Sequence, residues 1–423
     1  MKRRDFIKIS GAAAVAAACG PRDARSKSGM TKKAGNDEEA MLMRENPISG
    51  DKVSALGFGC MRWPMIDDGK GGKIIDQEAV NEMVDYALAH GVNYFDTSPA
   101  YLQGLSEKAA GDALSRHPRS SYFIATKLSN FGDQSPKASI QMYHDSLKQL
   151  KTDYFDYYLL HSIGRGGKEA FNKRYVENGM IDFLLKEKEA GRIRNLGFSF
   201  HGAKHEFDTF MEMHDSGEMH WDFCQIEMNY VDWKHADGVR NVNADYLYEQ
   251  LDKRGIPIVI MEPLLGGRLA RVPEGIARQM KEREPDRSVA SWAFRFCATY
   301  PRVLCVLSGM TSMDPLKENV ETFGHFQPLS AEELEFLEQM ATQMMEYPLV
   351  NCTDCKYCMP CPWGIDIPGT FQHYNKAITD GTYAQSTAQK DYAKLKKAYL
   401  VSYDRAVATV RQADQIGRAP CRE

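Results

Sequence analysis

The sequence lacks three features that would each place it in a particular class of protein. Its 53 Lys and Arg residues nearly balance 57 Asp and Glu residues, and a net charge of -4 gives no reason to expect nucleic acid as a partner. No apolar run reaches the roughly 18 residues that span a bilayer, so the mature chain is not expected to cross a membrane. No GxGxxG motif follows the first candidate strand, which disfavours an open dinucleotide-binding sheet.

The composition is that of an ordinary globular protein. Of the 423 residues, 43% are hydrophobic and 26% are charged, which argues against a largely disordered chain. The length suits one barrel of roughly 250 residues together with further segments.

The first nineteen residues have the layout of an export signal, with a basic start, a short Ala-rich stretch and small residues before Cys19. Arg3-Arg4 resembles the twin-arginine signal, whose machinery exports folded proteins, and the AAAC sequence resembles a lipoprotein cleavage site. A cytosolic protein with a frayed Ala-rich N-terminus is the alternative, which the paired arginines disfavour. We therefore expect a signal at 1–19, a flexible tether at 20–42 and export to the periplasm or cell envelope, with Cys19 as the only membrane anchor.

From about Met43 the chain alternates short β-rich runs with amphipathic helical segments. In the first such helix, Asp76 is placed to cap the start and Gly91 to end it. Eight units of this kind over roughly 280 residues fit an α/β fold with a closed (β/α)8 TIM barrel better than an open sheet. The candidate strands are 56–61, 94–96, 122–126, 154–160, 195–199, 223–227, 256–261 and 303–307.

Four residues near three successive strand ends carry groups that transfer or tune a proton, and such a barrel performs its chemistry at that end. Asp96 ends the second strand, Tyr101 lies in the next loop, Lys127 ends the third strand and His161 the fourth. A neighbouring ammonium would lower the pKa of a tyrosine, ordinarily about 10, while a carboxylate keeps the lysine charged. Tyr101 could then protonate a carbonyl oxygen while His161 donates a hydrogen bond to it. Each residue alone is more simply a structural polar group, but together they predict a catalytic site.

Several motifs resemble those of the aldo/keto reductase superfamily between about Met43 and Phe326. They are GFGCMRWP (57–64), GVNYFDTSPAY (91–101), ATK (125–127), SLKQLKTDYFDYYLLH (146–161), GRIRNLGFSF (191–200) and CQIEMNY (224–230). The resemblance implies a barrel over 43–328 and an NAD(P)-dependent reaction on a small carbonyl or alcohol. It also implies a catalytic tetrad made of Asp96, Tyr101, Lys127 and His161.

The resemblance further implies the residues of a nicotinamide site. Ser199 and Gln225 match residues that hold the nicotinamide carboxamide in the family, but Phe200 stands where the family has Asn. Met261 takes the place of an aromatic ring that stacks on the nicotinamide, and a thioether can still pack against a ring.

At the other end of the implied cofactor site, Glu318-Asn319 matches the adenine-binding pair of the family. Gly309 and Pro315 replace the basic residues that hold a 2′-phosphate, so NADP is not expected to be favoured over NAD. The alternative is that Ser199, Gln225 and Asn319 only satisfy backbone groups at the barrel rim.

Cys352, Cys355, Cys358 and Cys361 are separated by three consecutive two-residue gaps, with Pro362 after the last. The run CTDCKYCMPCP resembles the iron-sulfur motif of bacterial ferredoxins and of a ferredoxin-carrying branch of the aldo/keto reductases. Disulfides and zinc are the alternatives. Loops this tight would strain disulfides, and four-cysteine zinc sites usually draw their ligands as two separated pairs. We expect one 4Fe-4S cluster.

Residues 329–423 are accordingly predicted to form a small helical ferredoxin-like domain. A capping box at Ser330 opens a helix to about Met345, and further helices are predicted at 371–378 and 392–410. In the two-cluster proteins that this region resembles, a second cysteine run follows where this chain has Cys421 alone. We therefore hypothesise that the sequence is truncated and that a full-length chain holds a second cluster.

The combined features predict an exported oxidoreductase of the aldo/keto reductase type, whose iron-sulfur cluster exchanges electrons with a redox partner protein. A different class of function stays open: an envelope electron-transfer or binding protein whose barrel has lost nicotinamide-dependent chemistry. The altered nicotinamide contacts favour this second hypothesis, and the four proton-transfer residues favour the first.

Overall fold

Eight parallel strands close into a barrel in a computed structural model that describes residues 40–70, 72–238, 241–354, 356, 358–359, 361–384 and 386–407. The predicted export signal with Cys19, the tether up to residue 39, Cys355 and Cys421 lie outside these residues. Within the described ranges, no helix is both long and apolar enough to cross a membrane.

The barrel strands pair in the order of the chain, and the eighth strand closes on the first. We call them the first to eighth barrel strands: Leu56–Gly59, Tyr94–Asp96, Phe123–Leu128, Phe155–Gly164, Ile193–His201, Cys224–Glu227, Ile258–Met261 and Val303–Ser308. All eight candidate strands of the sequence are present, with ends that differ by a few residues. The (β/α)8 barrel is therefore confirmed.

Helices connect the strands on the outside of the barrel. They are Gln77–Ala89, Ser106–Leu114, Pro136–Gln149, Gly167–Phe171, Met180–Glu189, Lys204–Ser216, Asp232–His235, Ala244–Lys253, Glu274–Arg283, Val289–Thr299 and Met313–Gly324. The predicted signals of the first helix are found: Asp76 accepts a hydrogen bond from the Ala79 N–H at 3.1 Å. Gly91 follows the helix end with a φ of 83°, a conformation that glycine adopts without steric cost.

The core has two layers, one inside the barrel and one between the strands and the helices. Inside, the rings of Tyr94, Tyr157 and Phe223 pack together, with centroids about 5 Å apart. They fill the part of the barrel nearest the N-terminal ends of the strands. The outer layer is larger and joins the other faces of the strands to the apolar faces of the helices. Apolar side chains therefore fill the barrel interior on the N-terminal side of the polar strand-end residues.

A hairpin of Met43–Glu45 and Lys52–Ser54 lies at the N-terminal end of the barrel, just before the first barrel strand. The residues before it already pack against the barrel, because Met41 is buried and the Leu42 N–H donates to the Phe323 carbonyl at 3.1 Å. Packing thus begins two residues before the boundary expected at Met43. A second hairpin, Met65–Asp67 with Lys73–Ile75, follows the first barrel strand.

Three further helices follow the barrel: Ala331–Met345, Ile367–Thr379 and Tyr392–Val407. The first begins at the predicted capping box, in which Ser330 and Glu333 each bond the backbone N–H of the other. The second starts earlier than predicted because Asp366 caps it, accepting from the Gly369 N–H at 2.9 Å. The described part of 329–407 contains these helices and no strand, as expected for a helical region, and its ferredoxin-like character stays a prediction.

Candidate active site

Asp96 and Lys127 form a buried ion pair at the C-terminal mouth of the barrel. The Lys127 Nζ donates to Asp96 Oδ1 at 2.6 Å and to the Thr97 carbonyl at 2.9 Å. Burial raises the pKa of the Asp96 carboxyl, and the Lys127 charge opposes that rise. The two strand ends that the sequence singled out thus place a charged pair in a site closed to water.

Tyr101 begins the turn after the second barrel strand, and its ring lies between Lys127 and His161. The Lys127 Nζ is 4.9 Å from the centre of the phenol ring, and the His161 ring meets it edge-on at 5.9 Å. The expected lowering of the tyrosine pKa by the ammonium is not found. Burial, followed by the negative charges of Asp96 and Glu262, raises the pKa of Tyr101 well above its usual value. The phenol therefore keeps its proton at neutral pH and is available as an acid.

His161 lies in a bulge, because the pairing of the fourth and fifth barrel strands shifts register between Leu160 and Ile163. Bulges next to active sites often re-aim a side chain. The His161 Nδ1 is 2.5 Å from the Ser129 hydroxyl and 3.3 Å from the Ser98 hydroxyl. Burial, then the charge of Lys127, holds the pKa of the imidazole well below its usual value. A neutral imidazole whose Nδ1 accepts from Ser129 carries its proton on Nε2.

The backbone takes left-handed conformations directly after three of the residues at this rim. Leu102 has a φ of 49°, Ser162 one of 53° and Glu262 one of 54°. These positions follow Tyr101, His161 and Met261 in the chain. Such conformations are unfavourable for residues other than glycine and collect at functional sites, where the surrounding packing holds them. The strained positions mark the same rim that the polar side chains mark.

The residues predicted to hold a nicotinamide on the fifth and sixth strands, Ser199 and Gln225, lie beside the predicted tetrad. Gln225 donates from Nε2 to Asp96 Oδ2 at 3.3 Å, which connects it to the catalytic pair. Its buried Oε1 has no hydrogen-bond partner among the residues that the structure describes. The Ser199 hydroxyl accepts from the Ser162 N–H at 2.7 Å and keeps its own proton to donate. An amide group that both donates and accepts, such as a carboxamide, fits these two side chains.

Two residues depart from the family pattern in the predicted nicotinamide site, Phe200 and Met261, and they lie in different environments. Phe200 is buried in the outer core, where its ring centre lies 4.9 Å from that of Phe207, and so it does not offer a polar contact. Met261 ends the seventh barrel strand and is partly exposed, at the rim. The apolar thioether is therefore at the position from which it could cover a ring.

At the expected adenine end, Asn319 donates to the Ser308 hydroxyl at the end of the eighth barrel strand, at 3.0 Å. Its neighbour Glu318 has a buried Oε1 without a partner among the described residues. This orphaned acceptor suits the exocyclic amine of an adenine. Gly309 follows the eighth strand, and its missing side chain leaves space into which Arg62 extends from the first strand's turn.

Glu262 was not singled out by the sequence but lies among the site residues. Its carboxylate accepts from the Gly266 N–H at 2.6 Å. Burial, followed by the charge of Glu227, raises the pKa of Glu262 to about 7, and the charge of Arg62 opposes that rise. The seventh strand thus contributes a second carboxyl group to the mouth.

The cysteine segment lies after the barrel, with Cys352 and Cys361 partly exposed and Cys358 exposed. Among the described residues, which exclude Cys355, no three His, Cys, Asp or Glu side chains are placed to hold a metal ion. The chemistry of four closely spaced thiols suits an iron-sulfur cluster, but the described geometry does not assemble such a site.

Ser98, Ser129 and Arg174 are further site residues that the sequence did not reveal. The serines share a hydrogen bond at 2.8 Å and both reach His161, while Arg174 donates to the His161 carbonyl at 2.9 Å. Serine and arginine are too common for their presence near a strand end to carry a signal. The only available signal was their position in sequence: Ser98 lies two residues after Asp96, and Ser129 two residues after Lys127.

The comparisons with known proteins agree with this geometry. The model of the Aldo/keto reductase family matches residues 55–342. L-galactose dehydrogenase of Arabidopsis thaliana is 26% identical over 304 residues, covering 67% of this chain and 89% of the plant protein. The uncharacterized oxidoreductase YqkF of Bacillus subtilis is 24% identical over 331 residues, covering 72% and 97%.

Among solved structures, the holo form of aldo-keto reductase AKR11C1 from Bacillus halodurans superposes with a TM-score of 0.56 at 25% identity, covering 71% of this chain and 96% of that one. The matched residues include the whole barrel and all four members of the proposed tetrad. The chain therefore belongs to the aldo/keto reductase family of oxidoreductases.

Proposed function

We propose that this protein uses NAD(P) to interconvert a small carbonyl compound and the corresponding alcohol at the mouth of its barrel. The observation that carries the proposal is the convergence of Tyr101, His161 and the Lys127–Asp96 pair at neighbouring strand ends. The Arabidopsis relative is a dehydrogenase of the sugar L-galactose, and this supports a substrate of the same chemical class. When bound, the nicotinamide supplies or accepts the hydride.

The four tetrad residues carry out the other parts of the reaction, which are proton transfer and stabilisation of charge. Tyr101, which keeps its proton at neutral pH, gives that proton to the carbonyl oxygen during reduction and takes it back during oxidation. Burial holds the pKa of His161 well below its usual value, and in the tautomer whose Nδ1 accepts from Ser129, the Nε2 proton would hydrogen-bond the same oxygen and stabilise its developing charge. Lys127 holds its charge 4.9 Å from the phenol ring and favours the phenolate left after transfer, while Asp96 fixes the position of the ammonium.

The cofactor assignment is supported by the unpaired acceptors at the two ends of the site, Gln225 Oε1 and Glu318 Oε1. Ser199, Gln225 and Asn319 would hold the nicotinamide and adenine ends, and Met261 would cover the nicotinamide. Neither Gly309 nor Pro315 offers a cation to a 2′-phosphate. These residues support the use of NAD at least as well as the use of NADP.

Titration of the purified protein with NADH and NADPH, followed by quenching of tryptophan fluorescence, tests this assignment. We expect saturable binding of NADH at submillimolar concentrations, because the polar contacts at both ends are already in place. If neither nucleotide binds at millimolar concentrations, the barrel does not use nicotinamide. The protein would then be an electron-transfer or binding protein on an aldo/keto reductase barrel.

We also propose that Cys352, Cys355, Cys358 and Cys361 bind a 4Fe-4S cluster that exchanges electrons with a redox partner. The spacing of the four thiols supports this proposal. After anaerobic purification we expect about four iron and four sulfide per chain. Cys358→Ser should lose most of the iron, whereas the control Cys297→Ser, which changes a thiol buried in a core helix, should retain it. Wild-type protein without iron and sulfide would overturn the assignment.

A further inference from the structure

Arg62 extends along the rim of the barrel from the turn after the first strand to the loop after the eighth, which is the neighbouring strand. A Cβ atom built on Gly309 would lie 3.2 Å from Arg62 Cδ and 3.5 Å from Cγ. The aliphatic part of Arg62 therefore packs on the space that a side chain at residue 309 would take. Residues 309–315 contain no Lys or Arg and include one Asp, so Arg62 brings a cation to a loop that has none of its own.

The guanidinium of Arg62 is held by the segment that carries the cysteines. Its Nη2 donates to the Thr353 carbonyl at 2.6 Å, and its Nη1 pairs with Asp354 Oδ2 at 3.2 Å. Both side chains of the ion pair keep about a quarter of their surface exposed, 29% for Arg62 and 25% for Asp354. A partly exposed pair of this kind contributes little free energy and exchanges partners at low cost.

The cysteine segment also contacts the loop after the seventh strand. A Cβ atom on Gly266 would lie 2.3 Å from Thr353 Cα, so the two backbones touch and only glycine fits. Arg268 donates to Asn351 Oδ1 at 2.8 Å. Residues 351–354 are thus docked at the catalytic end of the barrel, between the loops that follow the first and seventh strands.

The charges at this rim make a cation necessary for an anionic ligand. Glu227 is buried at the end of the sixth strand, the partly exposed Glu262 directly follows the seventh, and Asp354 adds a third carboxylate on the outside. A dinucleotide carries at least two phosphate charges, which these carboxylates repel. A guanidinium is the side chain best suited to bind phosphate oxygens, because its donors match them in pairs.

We propose that Arg62 is the phosphate-binding residue for the dinucleotide in this chain, and that Asp354 competes with the phosphate for the guanidinium. This inference rests on the proposed function. Under this proposal the cysteine segment competes with the cofactor for Arg62. The strength of its contacts with Arg62 then sets the affinity of the barrel for the dinucleotide. By linkage, a bound dinucleotide loosens residues 351–354 from the barrel to the same extent.

Binding measurements on four variants of the full chain test the proposal. Asp354→Asn, which removes the competing charge, should tighten NADH about 3- to 10-fold, and Arg62→Gln should weaken it about 10-fold. In Arg62→Gln protein, the added Asp354→Asn change should not alter the NADH affinity further, because no guanidinium is left for Asp354 and the phosphate to compete for. Asp380→Asn removes an exposed pair with Lys376 in the same C-terminal region and should leave the affinity unchanged. If only NADPH responds, the phosphate is the 2′-phosphate; if both respond, it is the diphosphate.

Hydrogen-deuterium exchange gives a readout that does not depend on activity. Saturating NADH should increase exchange in a peptide covering residues 350–354 of the wild type but not of Asp354→Asn. If the wild type binds NADH but Asp354→Asn binds neither NADH nor NADPH more tightly than the wild type does, the inference is overturned and the proposed function stands. If no variant binds NADH and exchange at 350–354 is unaffected, both the inference and the proposed function are overturned.

Discussion

Replacing Tyr101 with Phe is expected to lower kcat for carbonyl reduction by about 10²- to 10⁴-fold, the usual contribution of a positioned acid. The Phe ring keeps the contacts with the Lys127 ammonium and the His161 ring, so the fold and the binding of NADH should be preserved. Only the proton that reaches the substrate oxygen is removed. Steady-state kinetics with a panel of small aldehydes, together with NADH titration of the same protein, measure both quantities.

Tyr157→Phe provides a matched control for this change. Tyr157 is another tyrosine inside the barrel, fully buried, and its hydroxyl bonds Asp51 and Asn46 at the other end of the barrel. We expect a loss of about 1 kcal/mol of stability and activity within a few-fold of the wild type. If Tyr101→Phe retained more than a tenth of the wild-type kcat, the acid would have to be a different group.

Lys127→Met should have the second large effect, on both activity and stability. The ammonium is 1% exposed and holds Asp96 at 2.6 Å, so its removal leaves an uncompensated carboxylate in a site closed to water. Breaking a buried pair in this way costs about 3–5 kcal/mol. The pKa of Asp96, already raised by burial, also loses the charge that opposes the rise, so it should rise further in the variant. Chemical denaturation and steady-state kinetics give the two magnitudes.

The double variant Asp96→Asn with Lys127→Met separates the two effects. Removing both charges should restore most of the lost stability, because no lone buried charge remains. Activity should stay low, because no ammonium faces the Tyr101 phenol. Recovery of activity in the double variant would show that Lys127 is structural and would remove it from the proposed mechanism.

The barrel and the position of its tetrad were predictable because they follow from periodicity. The hydrophobic pattern of each strand or helix can be recognised within about fifteen residues of sequence. Parallel strands of a barrel all end at one rim, however far apart they lie in the chain. Asp96, Lys127 and His161 therefore meet in the structure as the strand ends indicated. The caps at Asp76 and Ser330 were equally readable, because a cap is a local signal.

What could not be predicted depends on burial or on distant partners. The pKa of Tyr101 rises rather than falls, because burial of the phenol, followed by the charges of Asp96 and Glu262, raises it, and burial cannot be read from a sequence. Arg62 meets Asp354 across 292 residues of chain, and neither residue type is distinctive alone. The predicted export signal lies outside the described residues, and it stays a prediction, as do the cysteine cluster and the NAD preference.

The contact between Gly266 and Thr353 also constrains how this chain can change over evolutionary time. Because the two backbones touch, a side chain acquired at residue 266 displaces the cysteine segment, and a change in that segment is felt directly by the barrel loop. Substitutions in the loop after the seventh strand and in the C-terminal segment are therefore expected to depend on each other. A hybrid that joins this barrel to the tail of a relative would need to exchange the loop after the seventh strand as well.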